Sequence, residues 1–526
     1  MPVPRFPRPV RGDLLAGLTV ALVLIPQSLA YATLAGMPPV HGLYAAAVAP
    51  ILAGLVGSSP YLQTGPTAVT SLLVLGAIAP LPELSPTEYA AHAALLALVA
   101  GGARLVLGLA RGGVIAYLMS QPVLAGFTWA AAALIVASQL PTALGVTAPN
   151  EDPLAATVDA LGHPGAWSGV AAGIALGVVL VTLGGRRLHP LVPGALIGVV
   201  ASMLVVEATG WDVATVGTIP SGLPPLSFDL PWSATLDLLV PGLVIALVGF
   251  AEPASIARRY ASAERSSWDP DRELVGQGLA NIGTAVTGGY PVGGSFSRSA
   301  LNHLSGARTR WSGILTGAAV LACLPFVDVL SDLPRSALAG LVIASVLVLL
   351  NPRPVLDLAR WSRPQLVVGL ATATVTVVAA PQVQWGLVTG VALALALHVW
   401  RELRLDMDLW DEHDLLHVRP QGVLYFGSAP GLEARILGEL AAHQRLGRVE
   451  IHLQRLGRID VTGALALRSI CRDLAIAGIP VVLSGAPEHS RRLLGKVFDG
   501  EGVDHTHAAR NTVSPAYPRM RERPSR

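Results

Sequence analysis

The residues best placed to hold a ligand lie in two polar interruptions of an otherwise apolar chain. Pro60-Tyr61-Leu62-Gln63-Thr64-Gly65-Pro66-Thr67 and Gly288-Gly289-Tyr290-Pro291-Val292-Gly293-Gly294-Ser295 each break a helix-forming run and open a short new one. A helix that begins in apolar surroundings presents unsatisfied N–H groups and the positive end of its dipole. Two such ends facing one gap favour an anion. Pro66 suits the first turn of one helix, where a missing N–H costs nothing. The hydroxyls of Thr67, Ser295 and Ser297 add donors. Arg298 is the one arginine this reading places deep within an apolar span. It offers a counter-charge for the anion, or else a cation that snorkels to the surface or pairs structurally. Glu252, just before Pro253, offers a carrier for a coupling proton or a cation ligand; its alternative role is a structural partner for Arg298.

The elements that must position these residues are membrane helices. The hydrophobic fraction is 52%, charged residues are 13%, and mean hydropathy is +0.57, whereas soluble domains are about a quarter charged. Apolar runs long enough for spans fall near 14–35, 40–57, 66–80, 88–110, 114–140, 165–183, 188–206, 235–257, 273–289, 295–305, 311–328, 335–351, 364–380 and 384–400. The third and tenth are conspicuously short. Pro26-Gln27-Ser28-Leu29-Ala30 and Pro253-Ala254-Ser255-Ile256-Ala257 share one pattern 227 residues apart, and Gly65 and Gly294, in the two interruptions, are 229 apart. Seven spans is an odd number, so the second half enters the membrane from the opposite side. Inverted repeats with paired, interrupted short helices mark a transporter site near the membrane midplane. The extended residues before each break can pair as two short strands, which satisfies backbone groups that lipid would not.

Arginine placement sets the expected orientation, since short cytoplasmic loops retain positive charge. Arg5, Arg8 and Arg11 precede the first span. Arg104 and Arg111, Arg186 and Arg187, Arg258 to Arg272, Arg308 and Arg310, Arg353 to Arg363, and Arg401 and Arg404 fall on the same side. The alternate loops carry Glu83, Glu88, Glu151, Asp152, Asp159, Glu207, Asp212, Asp229, Asp328 and Asp332, with Arg335 their only arginine. Both termini are therefore expected in the cytoplasm. The basic start followed by Ala30-Tyr31-Ala32 resembles a secretory signal with its cleavage site. The polar break at Pro26-Gln27-Ser28 and the membrane pattern that resumes at once argue against it.

Several functions are disfavoured. A net charge of +2 implies no global field for nucleic acid. Lys496 is the only lysine, and Leu493-Leu494-Gly495-Lys496-Val497 does not fit a phosphate-binding loop. Cys323 and Cys471 make no disulfide framework, and neither a metal site, a cofactor nor an enzyme's nucleophile–base pair is expected. Residues 403–526 hold 32 of the 70 charged side chains, about 26% of that stretch against about 9% before it. A soluble domain is expected there, with strands at Gly422 to Phe426, Val449 to Leu453 and Ile479 to Leu483. Helices are expected at Leu432 to Gln444, Gly463 to Ala477 and Ser490 to Phe498. His443, His452, His489, His505 and His507 lack a metal-ligand spacing and read as solvated surface. Arg510 to Arg526 reads as disordered.

These motifs together resemble the sulfate permease family of anion transporters, which includes the solute-carrier 26 proteins. Leu24-Ile25-Pro26-Gln27-Ser28-Leu29-Ala30-Tyr31-Ala32, followed by Pro38-Pro39-Val40-His41-Gly42-Leu43-Tyr44, is similar to its signature. Ser295-Phe296-Ser297-Arg298-Ser299-Ala300-Leu301-Asn302 and Ser305-Gly306-Ala307-Arg308-Thr309 resemble its segment at the tenth span. Leu424-Tyr425-Phe426-Gly427, Ile459-Asp460-Val461-Thr462-Gly463 and Gly478-Ile479-Pro480 resemble its C-terminal STAS domain.

The resemblance implies a polytopic helical membrane protein of seven-plus-seven inverted repeats. Its parts would be a cytoplasmic segment 1–11, a transport domain 12–402 with repeats at about 12–207 and 232–402, an α/β STAS domain 412–507 and a tail 508–526. It implies a homodimer in the plasma membrane that carries sulfate, bicarbonate, chloride or dicarboxylates by symport with protons or sodium, or by exchange. Anion-binding positions carry over to Gln27, Tyr31, Thr67, Ser297 and Arg298, alongside Ser295 and Phe296. The family often has an aromatic residue where Thr67 stands, which implies a more polar pocket here. Thr462 falls where anti-sigma antagonists carry a phosphorylatable residue, although transporter versions often keep only the fold. The expected function is proton-coupled secondary active transport by alternating access; an exchanger, an uncoupled anion channel, or a membrane anion sensor signalling through STAS are the alternatives.

Overall fold

A computed structural model describes residues 7–114, 120–147, 152–189 and 191–498. Arg5, Glu151, His505, His507 and the stretch 510–526 fall outside the described residues, as does the side chain of His489. Two compact units form, Met1–Ala394 and Leu395–Arg526.

The first unit is helical. Its helices are α1 (Arg11–Leu34), α2 (Val40–Val56), α3 (Ala68–Ile78), α4 (Pro86–Leu109), α5 (Gln121–Ala143), α6 (Pro153–Gly162), α7 (Gly169–Leu188) and α8 (Gly194–Thr209). The series continues with α9 (Thr235–Ala263), α10 (Pro270–Val286), α11 (Phe296–Leu304), α12 (Trp311–Cys323), α13 (Arg335–Val346), α14 (Arg353–Trp361), α15 (Arg363–Val378) and α16 (Gln384–Glu402), the last running across the division between the units. Among the described residues, seven helical segments are long and apolar enough to cross a membrane, and α2, α3, α8 and α15 are shorter apolar helices. Large apolar side chains such as Leu176, Leu180, Leu204, Leu236, Phe326 and Val378 stand exposed on these helices. In such number they form a surface suited to lipid.

A helix lies at each of the fourteen apolar segments, while α6 and α14 have no counterpart among them. Both are short, and α14 carries Arg353, Asp357 and Arg360 within nine residues. Glycines set the closest packing. At Gly101 of α4 an added Cβ would sit 2.8 Å from the Gly278 carbonyl oxygen of α10, the close backbone approach that small residues permit.

The second unit is a mixed sheet with helices on it. Its strands are β3 (Asp406–Glu412), β4 (Leu415–Leu424), β5 (Arg448–His452), β6 (Leu456–Ile459) and β7 (Val481–Ser484); β1 and β2 belong to the first unit. The order is β3-β4-β5-β7, with β6 paired to β4. The pair β3/β4 is antiparallel and the others are parallel. Leu416, Val418, Val449 and Ile451 pack a core with α17 (Ala429–Ala442) and α18 (Val461–Ile476), and α19 (Glu488–Phe498) adds Leu494 and Phe498.

β3 and β6 go beyond the sequence reading, and β4 is longer than expected. β3 is acid-rich, yet Met407 and Leu409 alternate onto the core, the pattern of a half-buried edge strand. β4 starts at Leu415 rather than Gly422. His452 is also not solvated surface: its Nδ1 lies 2.8 Å from Ser484 Oγ and its Nε2 lies 3.0 Å from Nδ1 of His417. Thr462 is exposed in the first turn of α18, whose N-cap is Asp460.

Candidate functional site

β1 (Thr64–Gly65) and β2 (Gly293–Gly294) pair antiparallel, Thr64 opposite Gly294 and Gly65 opposite Gly293. The N–H of Ser295 continues the pairing by donating to the Gln63 carbonyl at 3.1 Å. Antiparallel strands send the helices that follow them in opposite directions, so α3 and α11 leave this point as two half-helices with N-termini together. Each begins at a hydroxyl N-cap. Thr67 Oγ1 accepts the Thr70 N–H at 3.2 Å, and Ser295 Oγ accepts the Arg298 N–H at 3.4 Å. Pro66 therefore lies one residue before the N-cap and not in the first turn. Thr67, extended at φ −135° and capping through its side chain, takes the boundary position instead.

Irregular backbone at this depth needs partners for its N–H and C=O groups. One face of α10, with Glu273, Gln277 and Asn281 spaced four residues apart and all buried, supplies backbone partners through the first and third and a side-chain tie through the second. Glu273 Oε2 accepts the Ser58 and Ser59 N–H groups at 3.0 and 2.8 Å. Gln277 Nε2 donates to Thr64 Oγ1 at 2.7 Å. Asn281 Oδ1 accepts the Val292 N–H at 2.9 Å, and its Nδ2 donates to the Val292 carbonyl at 3.3 Å. This polar row is absent from the sequence reading; the signal that would have found it is the four-residue spacing of amide and acid side chains on an apolar helix.

A second correction concerns Arg104. It reads as a loop arginine, yet it is fully buried in α4. Its guanidinium donates to the carbonyls of Ala246, Val292 and Ile245 at 3.0, 2.9 and 2.9 Å, tying α9 to the backbone just before β2. Among the described residues Arg104 and Arg298 are the two fully buried arginines, and they differ in what they lack. Arg104 has three carbonyl partners. Arg298, 1% exposed, reaches only Gln27 Oε1, at 3.4 Å, while its Nε and Nη2 have no hydrogen-bond partner. Tyr31, Glu252 and Tyr290 lie within its electrostatic reach. Among the described residues no carboxylate comes close enough to form an ion pair with it.

Gln27, Ser297 and Arg298 line one cavity of about 60 Å³ together with Thr182, Arg186 and Gly194 from α7 and α8. Arg186 also reads as a loop residue in the sequence; here it shares the pocket of Arg298, as does Thr182, whose buried Oγ1 has no partner. Gln27, Tyr31 and Thr67 are buried, whereas Phe296 is 43% exposed and Ser297 is exposed, its Oγ 3.2 Å from that of Ser295. A larger cavity of about 730 Å³, lined by Thr33, Ser138, Thr142 and Arg335 among others, shares no residue with this one.

Half-helices that meet N-terminus to N-terminus beside a guanidinium with two unpartnered nitrogens, within a bundle of apolar helices, define a membrane transport protein of the broken-helix class. The chain belongs to the sulfate permease family, which matches residues 10–372, and a STAS domain matches residues 408–506. It is 31% identical to a probable sulfate transporter of Mycobacterium tuberculosis over 97% of this chain and 96% of that protein. It is 30% identical to the sodium-independent sulfate anion transporter of Bos taurus, over 90% of this chain and 84% of the other. Its fold is similar to that of the murine solute carrier 26 family member A9 anion transporter, solved in the inward-facing state, with a TM-score of 0.87 at 18% identity; the match covers 97% of this chain and 90% of that one. It is also similar to the transmembrane domain of the cyanobacterial bicarbonate transporter BicA, with a TM-score of 0.63 at 23% identity, over 72% of this chain and 97% of the other.

Proposed function

We propose that this protein is a secondary active transporter of small anions of the sulfate, bicarbonate or dicarboxylate class. The anion is held between the N-termini of α3 and α11, and the protein works by alternating access with a proton as coupling ion. One observation carries the reading: Arg298 is buried with two of its N–H-bearing nitrogens unpartnered. Burying an unpaired cation is costly, and a bound anion would satisfy both the charge and the donors. The paired N-caps add dipole ends of the same sign, and Gln27, Ser297 and Arg186 line the cavity that Arg298 lines. Tyr31, Thr67, Ser295 and Phe296 complete the proposed site.

In this reading Glu252 carries the coupling proton, the protein is a homodimer in the plasma membrane with both termini cytoplasmic, and it catalyses no reaction. The names of its relatives favour sulfate as the first anion to test. Uptake of labelled sulfate into proteoliposomes, competed by bicarbonate, chloride, nitrate and C4-dicarboxylates, identifies the substrate. Saturable uptake suppressed by one member of the panel is expected. Flux that grows linearly with concentration and ignores every competitor would overturn the reading.

A further inference from the structure

Strand register builds a second polar cluster, on the STAS sheet. Trp410 of β3 stands opposite His417 of β4, and His417 stands opposite Glu450 of β5. His452, two residues after Glu450, shares its face and stands opposite Ser484 of β7. The Trp410 indole lies nearly parallel to both imidazoles, with centroids 4.9 and 5.4 Å away at 9° and 4°. The cluster occupies the face opposite the buried Leu416, Val418, Val449 and Ile451.

The surroundings of each ring nitrogen show which of them face one another. His452 Nδ1 lies 2.8 Å from Ser484 Oγ, which fits a proton on Nδ1. His417 Nε2 is buried without a hydrogen-bond partner, and the nearest charge to it is Glu412 Oε2 at 3.9 Å. Carboxylates lie on both sides of this ring, and a metal on Nδ1 would leave the proton on Nε2, toward Glu412. His417 Nδ1 and His452 Nε2 lie 3.0 Å apart, a distance one shared proton bridges in the metal-free protein, and Glu450 Oε2 lies 3.6 Å from the first of them. One ligand atom from each of His417, Glu450 and His452 falls within 4.8 Å of the other two. Ligands about 2.0–2.1 Å from a tetrahedral zinc lie about 3.3 Å apart. A metal-bound histidine that donates its other N–H to a hydroxyl or carboxylate is the usual outer arrangement of such sites.

We propose that His417, Glu450 and His452 form a binding site for one divalent transition-metal ion of the zinc class, held by two imidazole nitrogens and a carboxylate oxygen beneath Trp410. Two histidines and a glutamate are three ligands, which leaves a fourth position open to water. The test uses the purified full-length chain, free of any affinity tag and equilibrated with Zn2+ and then with metal-free buffer. One zinc per chain by elemental analysis is expected in the wild type. His452→Gln and Glu450→Gln are each expected to bind at least tenfold more weakly while eluting as the wild type does on size exclusion. Co2+ in place of Zn2+ should give the visible absorption of a four-coordinate site in the wild type, and this readout does not depend on any variant folding. Wild-type protein that retains no zinc and shows no cobalt band would overturn the proposal, as would a His452→Gln chain that folds and binds both metals unchanged. In either case the imidazole pair would be holding a proton and not a metal.

Discussion

At the scale of single residues, the account rests on Arg298 and the groups that face it. A charge-assisted hydrogen bond contributes about 1.5–3 kcal/mol, so Arg298→Ala is expected to fold and lose roughly ten- to a hundredfold in anion affinity. Arg298→Lys should retain part of it, since a point charge lacks the planar fork. Competition binding with labelled sulfate measures both. Arg186→Gln should weaken a dianion more than a monoanion, because Arg186 shares the cavity with Arg298 and two charges are better matched by two cations. Glu252 lies in the field of Arg298. An anion that neutralises the arginine makes protonation of the acid easier, and linkage makes the effect reciprocal. Uptake should therefore follow an inward proton gradient, and Glu252→Gln should bind anion yet ignore that gradient. Proton-driven accumulation by Glu252→Gln at the wild-type level would assign the residue a structural role. Arg298 and Glu252 stand out in the sequence because each interrupts an apolar run. Arg104 does not, because it sits a few residues from the end of its helix, where a snorkelling side chain would sit, and its carbonyl partners lie more than a hundred residues away.

At the scale of elements, the two half-helices and their short strands follow from paired Gly- and Pro-rich breaks. What holds them in place is less visible. Glu273 and Asn281 on α10 bind backbone at or beside the two breaks, and Gln277 binds the Thr64 hydroxyl; nothing in a linear pattern says which loops a polar stripe will meet. Asn281→Leu removes both of its bonds to Val292 and leaves that buried N–H unpaired, at a cost of about 1–3 kcal/mol. A lowered melting temperature in detergent is expected, with a larger loss of transport than of expression. Gly101→Leu should destabilise more generally, since its side chain would be driven against the Gly278 carbonyl. The acid-rich β3 escaped the sequence reading for a related reason: its charges suggest a loop, and only the pairing with β4 shows that its alternate residues face a core.

At the scale of the whole molecule, the residues of the proposed anion site all belong to the first compact unit. A chain ending at Leu405 should therefore retain measurable flux, and a folded, purified truncation with none would make the STAS domain part of the transport cycle. The STAS fold has its own probe in Cys471, whose thiol is pushed up to about 12 by burial. It should resist alkylation at pH 8 until the domain unfolds. The unfolded thiol ionises near its ordinary value of 9.0, so the contribution of this group to stability is complete below that pH and is lost as pH rises from there toward about 12. The break in charge density near residue 403 made two units legible from composition alone, whereas the cluster at His417 and His452 depends on a strand register that composition does not encode. The central claim, an anion carried through a gap between two helix N-termini at Arg298, is tested most directly by counterflow. Proteoliposomes loaded with unlabelled sulfate should accumulate labelled sulfate transiently above equilibrium, and liposomes bearing Arg298→Ala should show no such overshoot at the same concentration. An equal overshoot with folded Arg298→Ala, or a wild type that only equilibrates label as a conductive pore would, contradicts the account.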